Sequence, residues 1–271
     1  MEKVTIGIQI VPQWGVMSDM RVAWMEAEAL GVDAIYSCDH FFPQVHTSEV
    51  ADGEIPKTPD GHNFEGTTVQ AAMAVTTTRP EIGCIVHANG YRNPNLLADI
   101  ARTVDHISNG RFVLGIGAGV QERDYREYGY EFGTTKSRLM DLARDLPIIK
   151  ARLEKLNPKP IRKIPIMIAS MGEKIGMRIV AEHADRWNVF GEHEKVQHKI
   201  GVLKSLCKEV GRDFAEIEIN TYYFPHLQQG KDTDPGKLVD MGIRHIIYLC
   251  HGPNWDLGPL LDLIAWRNAL S

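Results

Sequence analysis

The sequence predicts an α/β protein built as a single (β/α)8 TIM barrel over residues 1–271. Three observations carry that expectation. Apolar, strand-like runs alternate with helical periodicity eight times, no linker or low-complexity stretch interrupts them, and a length of 271 residues suits one barrel. Strict strand–helix alternation calls for a parallel sheet with crossover helices. Eight such units favour closure into a barrel over an open doubly wound sheet. The composition agrees: 44% hydrophobic residues suffice for a large core, and a formal net charge of −5 argues against a nucleic-acid or membrane-surface partner.

The first strand is expected at Val4–Ile10, with its helix at Ser18–Leu30. A short turn, Gly31–Asp33, leads into the second strand at Ala34–Asp39, whose helix is expected at Thr68–Thr76. Arg79–Glu81 turns into the third strand, Ile82–His87. The third helix, Pro94–Ile107, is well specified. Asn93 is a good N-cap, Pro94 suits the first turn, and Leu96, Leu97, Ile100, Val104 and Ile107 give an apolar face closed by Asn109-Gly110. Ser108–Arg111 then turns into Phe112–Gly117, followed by a helix at Lys136–Leu153. The remaining strands are expected at Ile164–Ala169, Arg186–Phe190, Glu216–Tyr223 and His245–Cys250. Their helices fall at Lys174–Glu182, Lys195–Val210, Pro235–Met241 and Pro259–Ala269.

Several function classes are set aside by what the chain lacks. MEKVTIGIQI has neither the apolar run nor the cleavage site of a signal peptide, and no stretch reaches the length of a membrane span. A cytoplasmic location is therefore expected. Cys38, Cys84, Cys207 and Cys250 lie far apart without a CxxC pair, which argues against a zinc knuckle or a disulfide framework. The first strand offers Gln9-Ile10-Val11 where metal-dependent barrel hydrolases place His-x-His, so no metal site is expected. There is no Gly-x-Ser-x-Gly elbow for a nucleophilic serine.

The connections point to the site. Those leaving the second strand (His40–Thr67) and the fourth (Ala118–Thr135) are long. Long connections in compact domains are usually functional, and both leave the C-terminal ends of strands, where barrel active sites are built. The site is therefore expected among Asp39, His40, His87, Gly117 and the loops beyond them. Asp39-His40 can bind donors or relay protons, or can simply tie down the loop. His87 ends its strand in an equivalent position. Arg92 reads equally as an anion binder and as a structural ion-pair partner. Gly115, Gly117 and Gly119 fail the dinucleotide fingerprint because Val120 stands where its third glycine belongs. They suit the close approach of a planar ring to bare backbone. Ala169-Ser170-Met171-Gly172 leads into a helix, where exposed amides favour phosphate, although Ser170 also reads as a plain cap.

Six segments together resemble the bacterial luciferase-like superfamily, and within it the oxidoreductases that use the deazaflavin coenzyme F420. They are Cys38-Asp39-His40-Phe41, Phe64-Glu65-Gly66-Thr67-Thr68, Tyr91-Arg92-Asn93-Pro94, Gly115-Ile116-Gly117-Ala118-Gly119, Ile164–Ala169, and Ala181-Glu182-His183-Ala184-Asp185-Arg186-Trp187-Asn188. The resemblance covers nearly the whole chain. It implies a barrel with the ring at its C-terminal mouth and a non-proline cis peptide in the third strand, mapping to Cys84-Ile85, beside Gly117. Asp39, His87 and Asn89 map to ring-side contacts, and Ala169, Ser170, Met171 and Gly172 to the phosphate site. Some F420 enzymes carry a glutamate after the fourth-strand glycines, where this chain has Val120.

The resulting expectation is hydride transfer between F420 and a small organic substrate. His40 is the first candidate for acid/base work, with Asp39 orienting either the ring or His40, and Glu65 is the second candidate. Trp14, Phe41, Phe42 and Phe64 either line an apolar substrate pocket or pack the long loop. The alternatives are an FMN-dependent monooxygenase or reductase on the same fold, and a non-catalytic flavin- or deazaflavin-binding protein. The resemblance also implies a homodimer.

Overall fold

The computed structural model describes residues 3–43, 61–223 and 234–270. Its strands are β1 (Thr5–Ile10), β2 (Ala34–Ser37), β3 (Glu81–Cys84), β4 (His87–Ala88), β5 (Phe112–Gly117), β6 (Ile166–Ala169), β7 (Arg186–Val189), β8 (Glu218–Tyr223) and β9 (His245–Cys250). The helices are α1 (Met17–Leu30), α2 (Gly66–Thr76), α3 (Pro94–Ile107), α4 (Glu122–Glu127), α5 (Thr135–Lys155), α6 (Gly176–His183), α7 (His193–Val210), α8 (Pro235–Asp240) and α9 (Gly258–Asn268). Residues 44–60 of the long second connection lie outside the described residues, as do 224–233 after β8.

The ring closes in parallel. β1 pairs with β2 and β9, and β3 pairs with both β2 and β5. β3 and β4 are two halves of one stave, because each pairs with β5, at Ile82↔Phe112 and His87↔Ile116. The described strands therefore form the eight staves of a (β/α)8 barrel. The third was expected to run unbroken from Ile82 to His87. It is interrupted instead, and the cis peptide joins Ile85 to Val86, one residue beyond the Cys84-Ile85 bond implied by the resemblance.

Side chains on successive strand positions face alternately inward and outward. Ile6, Ile8, Ile10, Ile35, Phe112, Leu114 and Ile116 point outward into the main core against Trp24, Met73, Leu97 and Leu146. Ala34, Tyr36, Ile85, Val113, Met167 and Ile247 form a separate apolar cluster. Covering both faces explains why these strands read as unbroken apolar runs.

In α3 the cap is as expected, with the Asn93 side chain accepting from Asn95 N and Pro94 in the first turn. Its inner face is Leu97, Ala98, Ala101, Val104 and Asp105, whereas Leu96 and Ile107 are exposed. The Ala118–Thr135 connection is not plain loop: it contains α4, whose first turn carries Glu122 and Asp124. Acidic residues there complement the helix dipole. All four cysteines are free and buried. No described helix is long and apolar enough to cross a membrane.

The glycine strip of β5 has a different purpose from the one expected. A side chain at Gly115 would collide with the Cys84 carbonyl oxygen, and a Cβ on Gly117 would lie 2.8 Å from Val86 Cγ2. The space left by both glycines is filled by the interrupted third stave rather than left open for a ring. Gly115→Ala should therefore cost about 1–3 kcal/mol, as overpacking does, because a backbone oxygen cannot step aside. Gly117→Ala should cost less, since it meets a side-chain methyl. Chemical-denaturation midpoints of the two variants check the order.

Candidate active site

Gly66 opens α2 hard against the end of β2. A Cβ there would lie 2.9 Å from Cys38 O and 2.8 Å from Asp39 Oδ1. Only a glycine lets the helix begin so close, and it brings the positive end of α2 to Asp39 and Glu65.

Asp39 is buried, and Arg92 grips it with both guanidinium arms, Nη1 to Oδ2 at 2.6 Å and Nη2 to Oδ1 at 2.8 Å. Ala88 N also donates to Oδ2, and His87 Nδ1 lies 3.3 Å from it. Burial alone would raise the Asp39 pKa, but the nearby His87 ring and the two-armed Arg92 guanidinium outweigh it and hold the carboxyl well below its usual range. Arg92 Nη2 also donates to Glu65 Oε1. Glu65 is the N-cap of α2 and accepts from the backbone of Thr67 and Thr68. Its burial is likewise outweighed by the Thr68 and Thr67 hydrogen bonds, which bring its pKa down to about 2.

His40 turns away from this network. Its Nδ1 lies 2.7 Å from Asp124 Oδ2, and its side chain keeps 16% of its surface exposed. Asp124 is buried on α4 and also accepts from Phe41 N and Phe42 N, each at 3.2 Å, and from the Tyr91 hydroxyl at 2.8 Å. Burial and then the Asp124 carboxylate push the Tyr91 phenol far above its usual pKa, so it stays a donor. Phe41 stacks on Tyr128 with ring centroids 3.9 Å apart, and the Arg123 guanidinium lies 3.9 Å above the Phe42 ring. Two connections at the C-terminal mouth are thus locked together around one imidazole. The family model for luciferase-like monooxygenases matches residues 17–233.

The chain belongs to the luciferase-like monooxygenase family.

Its relatives span more than one chemistry. The chain is similar to an F420-dependent glucose-6-phosphate dehydrogenase of Amycolatopsis mediterranei, 26% identical over 60% of this chain and 49% of that protein. It is also similar to the pyrimidine monooxygenase RutA of Allorhizobium ampelinum, 28% identical over 56% and 47%. The chain spans about half the length of these curated relatives. Among solved structures, an F420-dependent secondary alcohol dehydrogenase in complex with an F420-acetone adduct shares the fold. Its TM-score is 0.79, its identity 16%, and 98% of each chain is covered.

In this luciferase-like barrel the expected residues part company. Asp39 does not orient His40; Arg92, Ala88 and His87 occupy it, and Asp124 takes that place. His87 does not stand at the mouth beside His40: it is fully buried, and its Nε2 lies 3.1 Å from Gln70 Oε1. Asn89 is buried and donates to Asp145 Oδ2 at 2.8 Å. Cys84 and Ile85 are buried in the broken stave, and burial pushes the Cys84 thiol well up. Phe41 and Phe42 pack the loop, Phe64 packs against the main core, and Trp14 covers Gly61.

Ala169 ends β6, and Ser170, Met171 and Gly172 form a partly exposed loop whose Ser170 carbonyl accepts from Trp187 Nε1. The helix starts at Gly176, later than expected, and no side chain caps it. Ser170 is therefore not its cap. Asn188, in register with Ala169 on the neighbouring strand, has a buried Oδ1 without a hydrogen-bond partner. Sequence reasoning missed Asp124, Asp145 and Gln70. The one signal for Asp124 was an acidic residue in a long connection at the C-terminal face.

Glu65 supplies a pH test. Its pKa is lower folded than unfolded, so its stabilisation is present above about 4.5 and lost as pH falls toward 2. Glu65→Gln should cost roughly 1 kcal/mol at pH 7, the scale of a lost cap. The gap in Tm between the two proteins should close between pH 4.5 and 2. A gap constant across that window would count against the assignment.

Proposed function

We propose that this protein transfers a hydride between coenzyme F420 and a small organic substrate at the C-terminal mouth of the barrel, with His40 handling the accompanying proton. The observation that carries the reading is the contrast between His40 and the other candidates. Asp39 and His87 are buried against one another and Arg92, and Glu65, though more exposed, is engaged by Arg92 and by capping α2, whereas among the described residues His40 has only one ring nitrogen engaged. Imidazole also titrates nearest neutral pH.

The residues present fit a flavin-like coenzyme. The Ser170–Gly172 loop and the uncapped start of α6 would receive its phosphate. Ile85 and Val86, and the orphaned acceptor Asn188 Oδ1 beneath the mouth, would lie toward its ring. When bound, the coenzyme supplies the carbon that accepts or gives the hydride. For an alcohol substrate, the hydroxyl proton passes to His40 Nε2 as the C–H hydride leaves; reduction of a carbonyl returns it from the same atom. Asp39 and Arg92 take no proton in this scheme and hold the floor of the mouth.

F420 is favoured over FMN by the names of the Amycolatopsis relative and of the alcohol dehydrogenase that shares the full barrel. The family's monooxygenases, among them a Baeyer-Villiger monooxygenase of the same fold solved in complex with FMN, keep FMN as the competing outcome. Titration of the protein with each coenzyme, read by absorbance and fluorescence, decides between them. Micromolar F420 binding without comparable FMN binding is expected, and the reverse would overturn the coenzyme assignment. His40→Ala should keep F420 affinity and lose roughly 100-fold or more in kcat, the usual weight of general acid–base catalysis. Unchanged turnover would remove His40 from the mechanism.

A further inference from the structure

We propose that Asp124 is the positioning residue that fixes the ring and the tautomer of His40. The inference rests on the reading of His40 as the proton-handling group, and it concerns a residue 84 positions away in sequence.

A carboxylate only accepts hydrogen bonds. With Asp124 Oδ2 2.7 Å from Nδ1, the neutral imidazole must carry its hydrogen on Nδ1, which leaves Nε2 as a bare acceptor. Among the described residues Nε2 makes no hydrogen bond of its own. The direction of proton traffic is therefore set by the carboxylate: Nε2 takes a proton, and the resulting imidazolium faces a buried anion that stabilises it.

Asp124 is itself immobilised. Oδ1 is held by two successive amides, Phe41 N and Phe42 N, and Oδ2 by the Tyr91 hydroxyl as well as by His40. Four donors saturate the roughly four lone-pair sites of a carboxylate, and full burial removes competition from water. Two of those donors belong to the residues directly after His40, so the carboxylate reads the backbone and the ring of one segment together. The stack of Phe41 on Tyr128 and the Arg123 guanidinium over Phe42 then keep α4 from drifting away. A carboxylate that merely tied down the loop would need the amides and the tyrosine, but not the imidazole.

The test begins with cofactor-free protein. Long-range proton–nitrogen NMR correlations of the histidine rings, with His40 assigned by its disappearance in His40→Gln, should show the Nδ1–H tautomer of the neutral His40 ring. Asp124→Asn can present its amide as a donor and should convert His40 to Nε2–H. Tyr91→Phe, which takes a different donor from the same carboxylate, should lower Tm and leave the tautomer unchanged. In the loaded enzyme, Asp124→Asn should lower kcat by roughly 10–100-fold, the scale on which an orienting partner is felt, with little change in KM. Placed on a His40→Ala background it should lower kcat no further, because the two act as one unit.

An Nε2–H tautomer in the wild-type protein would overturn the proposal even if Asp124→Asn fails to fold. So would an equal kcat loss from Asp124→Asn with and without His40. If His40→Ala alone leaves turnover intact, the catalytic reading of His40 fails. The tautomer measurement still decides in that case whether Asp124 sets the ring.

Discussion

The buried, two-armed pair between Arg92 and Asp39 is the constraint on which the mouth of this barrel depends. Placing two charges out of water costs several kcal/mol per ion, and the cost is offset only by bidentate geometry and by further hydrogen bonds on the remaining lone pairs. Here Ala88 N and Glu65 complete the set, so the pair joins the end of β2, the start of α2 and the segment after β4 in one cluster. Removing either partner would leave an uncompensated buried charge, a loss of about 3–5 kcal/mol in comparable cases. Gly66 belongs to the same constraint, since a side chain there would push α2 off the Asp39 carboxylate.

That cluster also sorts the titratable groups of the mouth into two sets. Asp39 and Glu65 are held as anions by their neighbours, and His87 is sealed beneath them beside Gln70. Asp39 and His87 are buried away from any ligand, and Glu65 is held as an anion by its cap and by Arg92. His40 follows Asp39 directly, but both lie past the end of β2, and His40 leaves the cluster and meets Asp124 instead. Two adjacent residues thus divide the labour, one for the fold and one, on the proposed reading, for the chemistry.

Much of the fold was legible in the sequence, because strand–helix alternation and caps such as Asn93-Pro94 are local signals. The candidate site was legible by residue type and by the end of the barrel, but not by pairing. Asp39 and Arg92 are 53 positions apart, and His40 and Asp124 are 84 apart; neither spacing leaves a periodic trace. α4 has six residues, too few to show helical periodicity, so the carboxylate it carries was hidden in an apparent loop. The β5 glycines were misread for a related reason. A glycine shows that something approaches closely, and only packing shows that the visitor is the chain's own third stave.

Val120 gives these assignments a further consequence. It stands 74% exposed just past the β5 glycines, where some F420 enzymes resembling this chain carry a glutamate, and it can neither give nor take a proton. The nearest buried carboxylate of the same connection is Asp124, four residues on, and it faces the His40 ring. On the proposed reading, the buried carboxylate of the β5–α5 connection acts on proton chemistry through His40. Its aromatic contacts, Tyr128 on Phe41 and Phe132 under Arg138, hold the connection against the segment that carries His40. On that reading the mouth depends on one imidazole whose orientation is set by α4, and substitutions in this connection would act on rate through the His40–Asp124 separation.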